Sequence, residues 1–185
     1  MILPIYVYGA DVLRQRAKEI ELDSPEIKER ISKLIDDMWE TMENADGVGL
    51  AAPQIGESIR LLIVDGTLLA DEMPELTDFK RVMINPVIIE ESSETCEYNE
   101  GCLSVPDINA VVERVKSIKI KYLDRDFNEK EELLDNFACR MVLHEMDHLN
   151  GVLFTDHATP IRKKMIQSKL IKIKDGKVIP HYRIK

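Results

Sequence analysis

Residues Asn136 to Leu149 constrain this chain more than any other stretch. The run Asn-Phe-Ala-Cys-Arg-Met-Val-Leu-His-Glu-Met-Asp-His-Leu is apolar nearly all the way round a helical wheel, which predicts a helix enclosed by the rest of the fold. Everything else must supply its walls. Gly151 is placed to end it. Inside the run, His144-Glu145-Met146-Asp147-His148 sets two imidazoles four residues apart, a step of about 40° and about 6 Å along a helix. Both therefore project from one face and can share a cation. Glu145, about 100° round from His144, can address a water on that cation rather than the cation itself. Chance supplies such a pentad in roughly 1 of 100 chains of this composition, and paired core histidines fit the same letters, so a third ligand is needed.

The walls are a mixture of helix and strand. Ser24-Pro25 supplies a cap and first-turn residue, and Ile27, Ile31, Leu34, Ile35, Met38, Trp39 and Met42 form one apolar stripe behind it, predicting an amino-terminal surface helix. It runs out at Ala45-Asp46-Gly47. Ile59 to Asp65 and Val82 to Glu90 read as strands, the second broken at Asn85-Pro86, with Gly66 to Lys80 a surface excursion between them. Ala110 to Asp124 reads as one half-buried strand, alternating through Ile118, Lys119, Ile120, Lys121 and Tyr122, and Asp124 to Asn128 turns the chain. Thr159-Pro160 opens a last helix to about Ile171, and Asp175-Gly176 reads as a hairpin turn. The expectation is one α+β domain over 1–185: antiparallel strands around a central buried helix, ending in a basic helix-hairpin tail from about 159 to 185.

Length and charge narrow the classes. At 185 residues one core can bury roughly 70% of the unfolded surface without staples. Three cysteines form no disulfide framework, and reduced thiols remain available to a metal. No basic stretch precedes the first apolar run, and Pro4 interrupts that run, so neither secretion nor membrane insertion is expected and the location read from sequence is cytoplasmic. The net charge of −9 conceals nine Lys/Arg and one Asp between Ile161 and Lys185. Such a basic tail on an acidic body can address phosphate backbones, although a solvated helix face explains the same charges.

The third ligand is sought by elimination. One zinc-peptidase pattern needs a His ten residues after the first, where this chain has Phe154, and another needs a later Glu, of which none follows Glu145. Among the cysteines, Cys139 lies about 140° round the helix from His144 and reads as core. Cys96 sits in a strand without special surroundings. Cys102, in Glu-Gly-Cys-Leu-Ser-Val-Pro, follows a glycine that permits close approach of backbone and ligand, and is the best third donor. Two imidazoles and a thiolate leave a tetrahedral cation one open position, the mark of a catalytic site. Gly47-Val-Gly-Leu-Ala-Ala52 matches a dinucleotide fingerprint in letters only. A helix precedes it and Pro53 blocks an early helical turn, so no dinucleotide is expected. The same loop presents Gln54, whose amide can donate to an oxyanion.

Three segments together, Gly47 to Gly56, Glu100 to Pro106 and His144 to Gly151, resemble the peptide deformylases in order, spacing and wording. The resemblance implies removal of the N-formyl group from the initiator methionine of nascent polypeptides. It implies metal ligands at Cys102, His144 and His148, a general acid/base at Glu145, and oxyanion donors at the Gln54 side chain and Leu103 N–H. It implies one divalent metal per chain, Fe2+ with Zn2+, Ni2+ or Co2+ as substitutes. It also implies N-formylmethionyl peptides bound beside Val48, Gly49 and Gly101, with an apolar pocket built from Val48, Phe137 and Met141, while a ribosome contact rests only on the charge of the basic tail and is left open. Three features depart from the family: Asn109 stands where some members carry an arginine, the excursion at 66–80 is longer than in compact members, and the tail is expected to end in a hairpin rather than simply a helix. The rivals are another metal hydrolase on the same ligands, and a ribosome-binding module with a structural metal.

Overall fold

The computed structural model describes residues 1–185. Three helices and seven strands follow in the order α1 (Pro25–Asn44), β1 (Gly49–Ala51), β2 (Leu61–Asp65), β3 (Lys80–Glu91), β4 (Thr95–Cys102), β5 (Val105–Val115), β6 (Ser117–Leu123), β7 (Glu129–Asp135), α2 (Asn136–Leu149) and α3 (Pro160–Lys174). Five strands form an antiparallel sheet in the order β1-β2-β3-β6-β7, and β4 pairs with β5 in a separate hairpin.

The main sheet is covered on both faces. Strand β2, Leu-Leu-Ile-Val-Asp, is buried at every position, the signature of a strand with a wall on each side. Leu62 and Val64 pack with Met141, Val142, Leu143 and Met146 of α2. Leu61 and Ile63 pack with Ile31, Ile35, Met38 and Met42 of α1. Ser24 caps α1 by accepting the Ile27 N–H at 3.3 Å, and the stripe turned to the sheet is the predicted one. Emptying a site such as Ile35, which has no exposure, with Ala would cost about 2–5 kcal/mol. A third cluster joins Val105, Ile108 and Val112 of the hairpin to Leu153, Phe154 and α3 residues Ile166 and Ile173. Helix α2 thus lies between the sheet and the hairpin, as its all-round apolar surface requires.

Several expected boundaries move. Strand β3 does not break at Asn85-Pro86. A bulge between Ile84 and Val87 absorbs the proline, and Asn85, at φ 50°, exchanges side-chain hydrogen bonds with both the N–H and C=O of Ile20. The 66–80 excursion is no mere surface loop, because its Leu76 and Phe79 are buried in the core. Ala110 to Asp124 is not one strand: at Lys116 the chain leaves the hairpin, and β6 joins the main sheet. Strand β7 was hidden by its charges and is an edge strand tied to β6 by ion pairs such as Lys119–Glu131 at 3.0 Å. The hairpin expected at Asp175-Gly176 is instead the end of α3. Gly176, at φ 70°, takes the left-handed conformation that closes a helix, donating its N–H to the Ile173 carbonyl. The chain then runs to the amino-terminal segment, where Ile184 forms a parallel bridge to Ile5.

Candidate active site

Helix α2 and the β4–β5 turn build the site from opposite sides. Cys102 closes β4 and pairs with Val105, leaving Leu103 and Ser104 as a two-residue turn. The Cys102 sulfur and one nitrogen each of His144 and His148 lie within 4.8 Å of one another. The thiol stands 3.2 Å from His148 Nε2. His144 is held by its other nitrogen: Nδ1 meets Glu100 Oε1 at 2.8 Å, which aims Nε2 at the cluster. Phe154, the residue that excludes one peptidase pattern, stacks on the His144 ring with 5.9 Å between centroids. Cys139 is fully buried elsewhere, directed at the Val115 carbonyl, and Cys96 lies by Arg140.

The donors suit a divalent transition metal. A thiolate and two imidazoles are the ligand types such ions take, with one position left open. Buried Glu145 Oε2 has no protein partner, as expected where the water on an ion belongs. The charge environment agrees. Burial lowers the affinity of the His144 ring for a proton, yet hydrogen bonds to Cys102 and Glu100 reverse this and hold it well above its ordinary value. Burial, with His144 nearby, holds His148 well below its ordinary value and therefore neutral, the form that can ligate.

Glu145 is 4% exposed. Burial pushes its carboxyl up to about 7, against the opposing pull of His144. Gly49 of β1 makes room for it, since a Cβ at that position would lie 2.5 Å from Glu145 Oε1. Gln54 is oriented by its neighbours: its Oε1 accepts the Ala51 N–H at 2.9 Å, so its NH2 end must face the other way. That end donates to Ser104 Oγ at 3.1 Å and lies 3.5 Å from Cys102 Sγ. The Leu103 N–H has no acceptor within the protein. A cleft of about 760 Å³ opens on these groups, and Val48, Gly49, Gly101, Phe137 and Met141 all line it, as does Asn109. His148 lies behind the cleft wall, 1% exposed.

A buried ionic cluster behind His144 went unrecognised in the sequence. Glu100 is gripped by Arg114, with Nε–Oε2 at 2.8 Å and Nη2–Oε1 at 3.0 Å, and by Arg140. Arg114 also reaches Asp147 Oδ2 at 2.7 Å, and Arg140 donates to the Val112 and Cys96 carbonyls. Burial alone would raise the Glu100 carboxyl, but the hydrogen bonds from His144 and Arg114 prevail and hold it well below the usual carboxylate range. One signal was available. Arg140 sits in a helix apolar nearly all round, and a buried guanidinium demands a buried carboxylate.

Comparison with known proteins gives a consistent result. The family model described as polypeptide deformylase matches residues 2–164. The peptide deformylase of Flavobacterium johnsoniae is 45% identical over 100% of this chain and 96% of its own length. That of Salinibacter ruber is 45% identical over 98% and 93%. Among solved structures, a peptide deformylase from Legionella pneumophila superposes with a TM-score of 0.80 at 35% identity, covering 95% of this chain and 96% of that one. The enzyme from Thermotoga maritima gives 0.76 at 41% identity over 86% and 99%.

Proposed function

The chain belongs to the polypeptide deformylase family, and from that premise we propose that Cys102, His144 and His148 hold its metal and that Glu145, Gln54 and Leu103 carry its chemistry. The activity is that of the family: a metal-dependent hydrolase that removes the N-formyl group from the initiator methionine of nascent polypeptides, leaving formate and a free amino terminus. The observation that carries the residue assignment is the convergence of one sulfur and two imidazole nitrogens within 4.8 Å beside a buried carboxylate oxygen that has no partner.

A divalent cation held there, iron(II) on this reading with zinc, nickel or cobalt as substitutes, supplies a Lewis acid and acidifies a water toward neutrality. The protein's own groups do the rest. Glu145 Oε2, with proton affinity set near neutral by burial, takes the proton of the attacking water and delivers it to the departing amine nitrogen. The Gln54 Nε2–H and Leu103 N–H accommodate the negative oxygen that forms on the formyl carbon, each donor contributing about 10²- to 10³-fold in rate. Val48, Phe137 and Met141 take the methionine side chain, while Gly49 and Gly101 let the peptide backbone lie close to β1. Residues 1–185 act as one catalytic domain in the cytoplasm. Exposed Lys163, Lys164, Lys169 and Lys172 of α3 suit a phosphate backbone such as ribosomal RNA. No helix is long and apolar enough to cross a membrane.

The test is formate release from formyl-Met-Ala-Ser by anaerobically prepared, iron-loaded protein. Turnover of other amides without formate would transfer the site to a different metal hydrolase. Absence of turnover with any metal, alongside salt-sensitive ribosome binding, would favour a non-catalytic module.

A further inference from the structure

The turn that carries the Leu103 N–H is gripped by both ends of the chain. From the amino-terminal side, Ser104 Oγ donates to the Tyr6 carbonyl at 2.7 Å, and the Tyr8 N–H donates to the Ser104 carbonyl at 2.8 Å. From the carboxy-terminal side, Tyr182 Oη donates to the Leu103 carbonyl at 2.7 Å. Tyr182 is 9% exposed and forms a small cluster with Ile5 and Ala45, against which Leu103 and Ile184 pack. The last residues are themselves anchored. Ile5 N–H donates to the Arg183 carbonyl and Lys185 N–H to the Ile5 carbonyl, each at 2.9 Å. This segment lies beyond residue 164, where the family model's match stops.

The same segment forms part of the cleft. Ile179, Pro180, His181 and Tyr182 line it together with residues of α2. His181 Nε2 meets Asp46 Oδ2 at 3.1 Å, tying the segment to the end of α1. Ile179 stands 93% exposed at the rim, an apolar side chain in water with no packing role of its own.

We propose that the carboxy-terminal segment 177–185 is a working part of the active site, in which Tyr182 is a positioning residue for Leu103 and Ile179 provides an apolar contact for peptide residues beyond the formylmethionine. The physical argument is local. The Leu103 carbonyl and N–H flank one Cα, so a hydrogen bond that fixes the carbonyl restricts the rotation that would swing the N–H away from the formyl oxygen. No main-chain donor holds that carbonyl. A single neutral hydrogen bond of this kind corresponds to about a 5- to 10-fold effect. The inference rests on the deformylase reading and deepens it.

The experiment compares iron-loaded wild type, Tyr182→Phe and Ile179→Ser on formyl-Met-Ala and formyl-Met-Ala-Ser-Leu, with metal content measured for each. Tyr182→Phe should lower kcat about 5- to 10-fold on both peptides with KM nearly unchanged. Ile179→Ser should raise KM about 3- to 10-fold on the longer peptide only. In zinc-loaded, 15N-leucine-labelled protein, the Leu103 amide resonance should shift and broaden in Tyr182→Phe, as its peptide gains freedom to rotate, while the leucine amides of α2 keep their positions. This reading does not depend on turnover. Unchanged kcat and an unchanged Leu103 amide resonance in Tyr182→Phe, with wild type active, would reduce the segment to a structural anchor and overturn the inference alone. A wild type that releases no formate from either peptide would overturn the deformylase reading first and this inference with it.

Discussion

Two glutamates on either side of His144 are buried to nearly the same degree and are built for opposite ends. Glu100 is 6% exposed and Glu145 4%. Glu100, on the hairpin side, meets two guanidinium groups and an imidazole, and is held ionised far below the usual carboxylate range. Glu145, on the sheet side, faces the backbone of Gly49, has an oxygen with no partner and is raised to about 7. Burial therefore does not decide what a carboxylate does; its cations do. Paired, it is a fixed negative charge that orients a ligand. Unpaired, it is a group on which a proton can come and go near neutral pH.

The contrast can be broken by removing each charge in turn. Glu145→Gln should cut kcat by about 10²- to 10⁴-fold while metal content and urea midpoint stay at or above wild-type values, because an unpartnered buried carboxylate stabilises nothing. Retention of activity within threefold would end the proton-carrier assignment. Glu100→Gln should behave in the reverse order. It leaves Arg114 and Arg140 short of a counter-charge, which costs about 3–5 kcal/mol in urea denaturation, and loosens His144, weakening metal affinity about 10- to 100-fold. A Glu100→Gln protein as stable as wild type would show that the ionic cluster is dispensable.

Stripping the metal with a chelator sharpens the comparison. An ion present at about 100 times its Kd contributes about 2.7 kcal/mol of folding stability, so chelation should lower the thermal midpoint by about 5–11 °C. The loss should be much smaller in Glu100→Gln, whose site holds the ion less well. The smallest effect expected is that of Gly49→Ala. Its methyl group would displace the Glu145 carboxylate rather than remove it, giving about a 10-fold fall in kcat with metal content intact. Unaltered kcat would mean that the position of Glu145 is not set by β1.

The sequence made α2 legible to its ends because one short run was apolar nearly all the way round, carried two histidines four residues apart and closed on a glycine. Cys102 was picked out by exclusion, once Phe154 and the lack of a later glutamate closed the other routes, and its sulfur does lie within 4.8 Å of the two imidazole nitrogens. What stayed hidden depends on partners distant in the chain. Strand β7 reads as charged loop until β6 lies beside it and pairs lysine with glutamate. Glu100 looks like one acidic residue among many until Arg114 and Arg140 arrive from another strand and from α2. The end of the chain was misread as a hairpin because Asp-Gly serves equally to turn a hairpin and to end a helix. Nothing local to that dipeptide told that the next residues reach Ile5 and the Leu103 carbonyl.

The two edges of the main sheet face different hazards. An unpaired strand edge invites another copy of the same protein to add its own sheet. Strand β7 answers with charge, presenting Glu129, Lys130 and Glu131 to solvent. Strand β1 carries no charged residue and is three residues long, with Gly49 on the cleft. On the proposed reading that brevity still gives a peptide in the cleft enough main chain to pair with, yet it leaves too short and too recessed a template for fibril-like self-association. The edge that lines the cleft is thus also safe in a crowded cell.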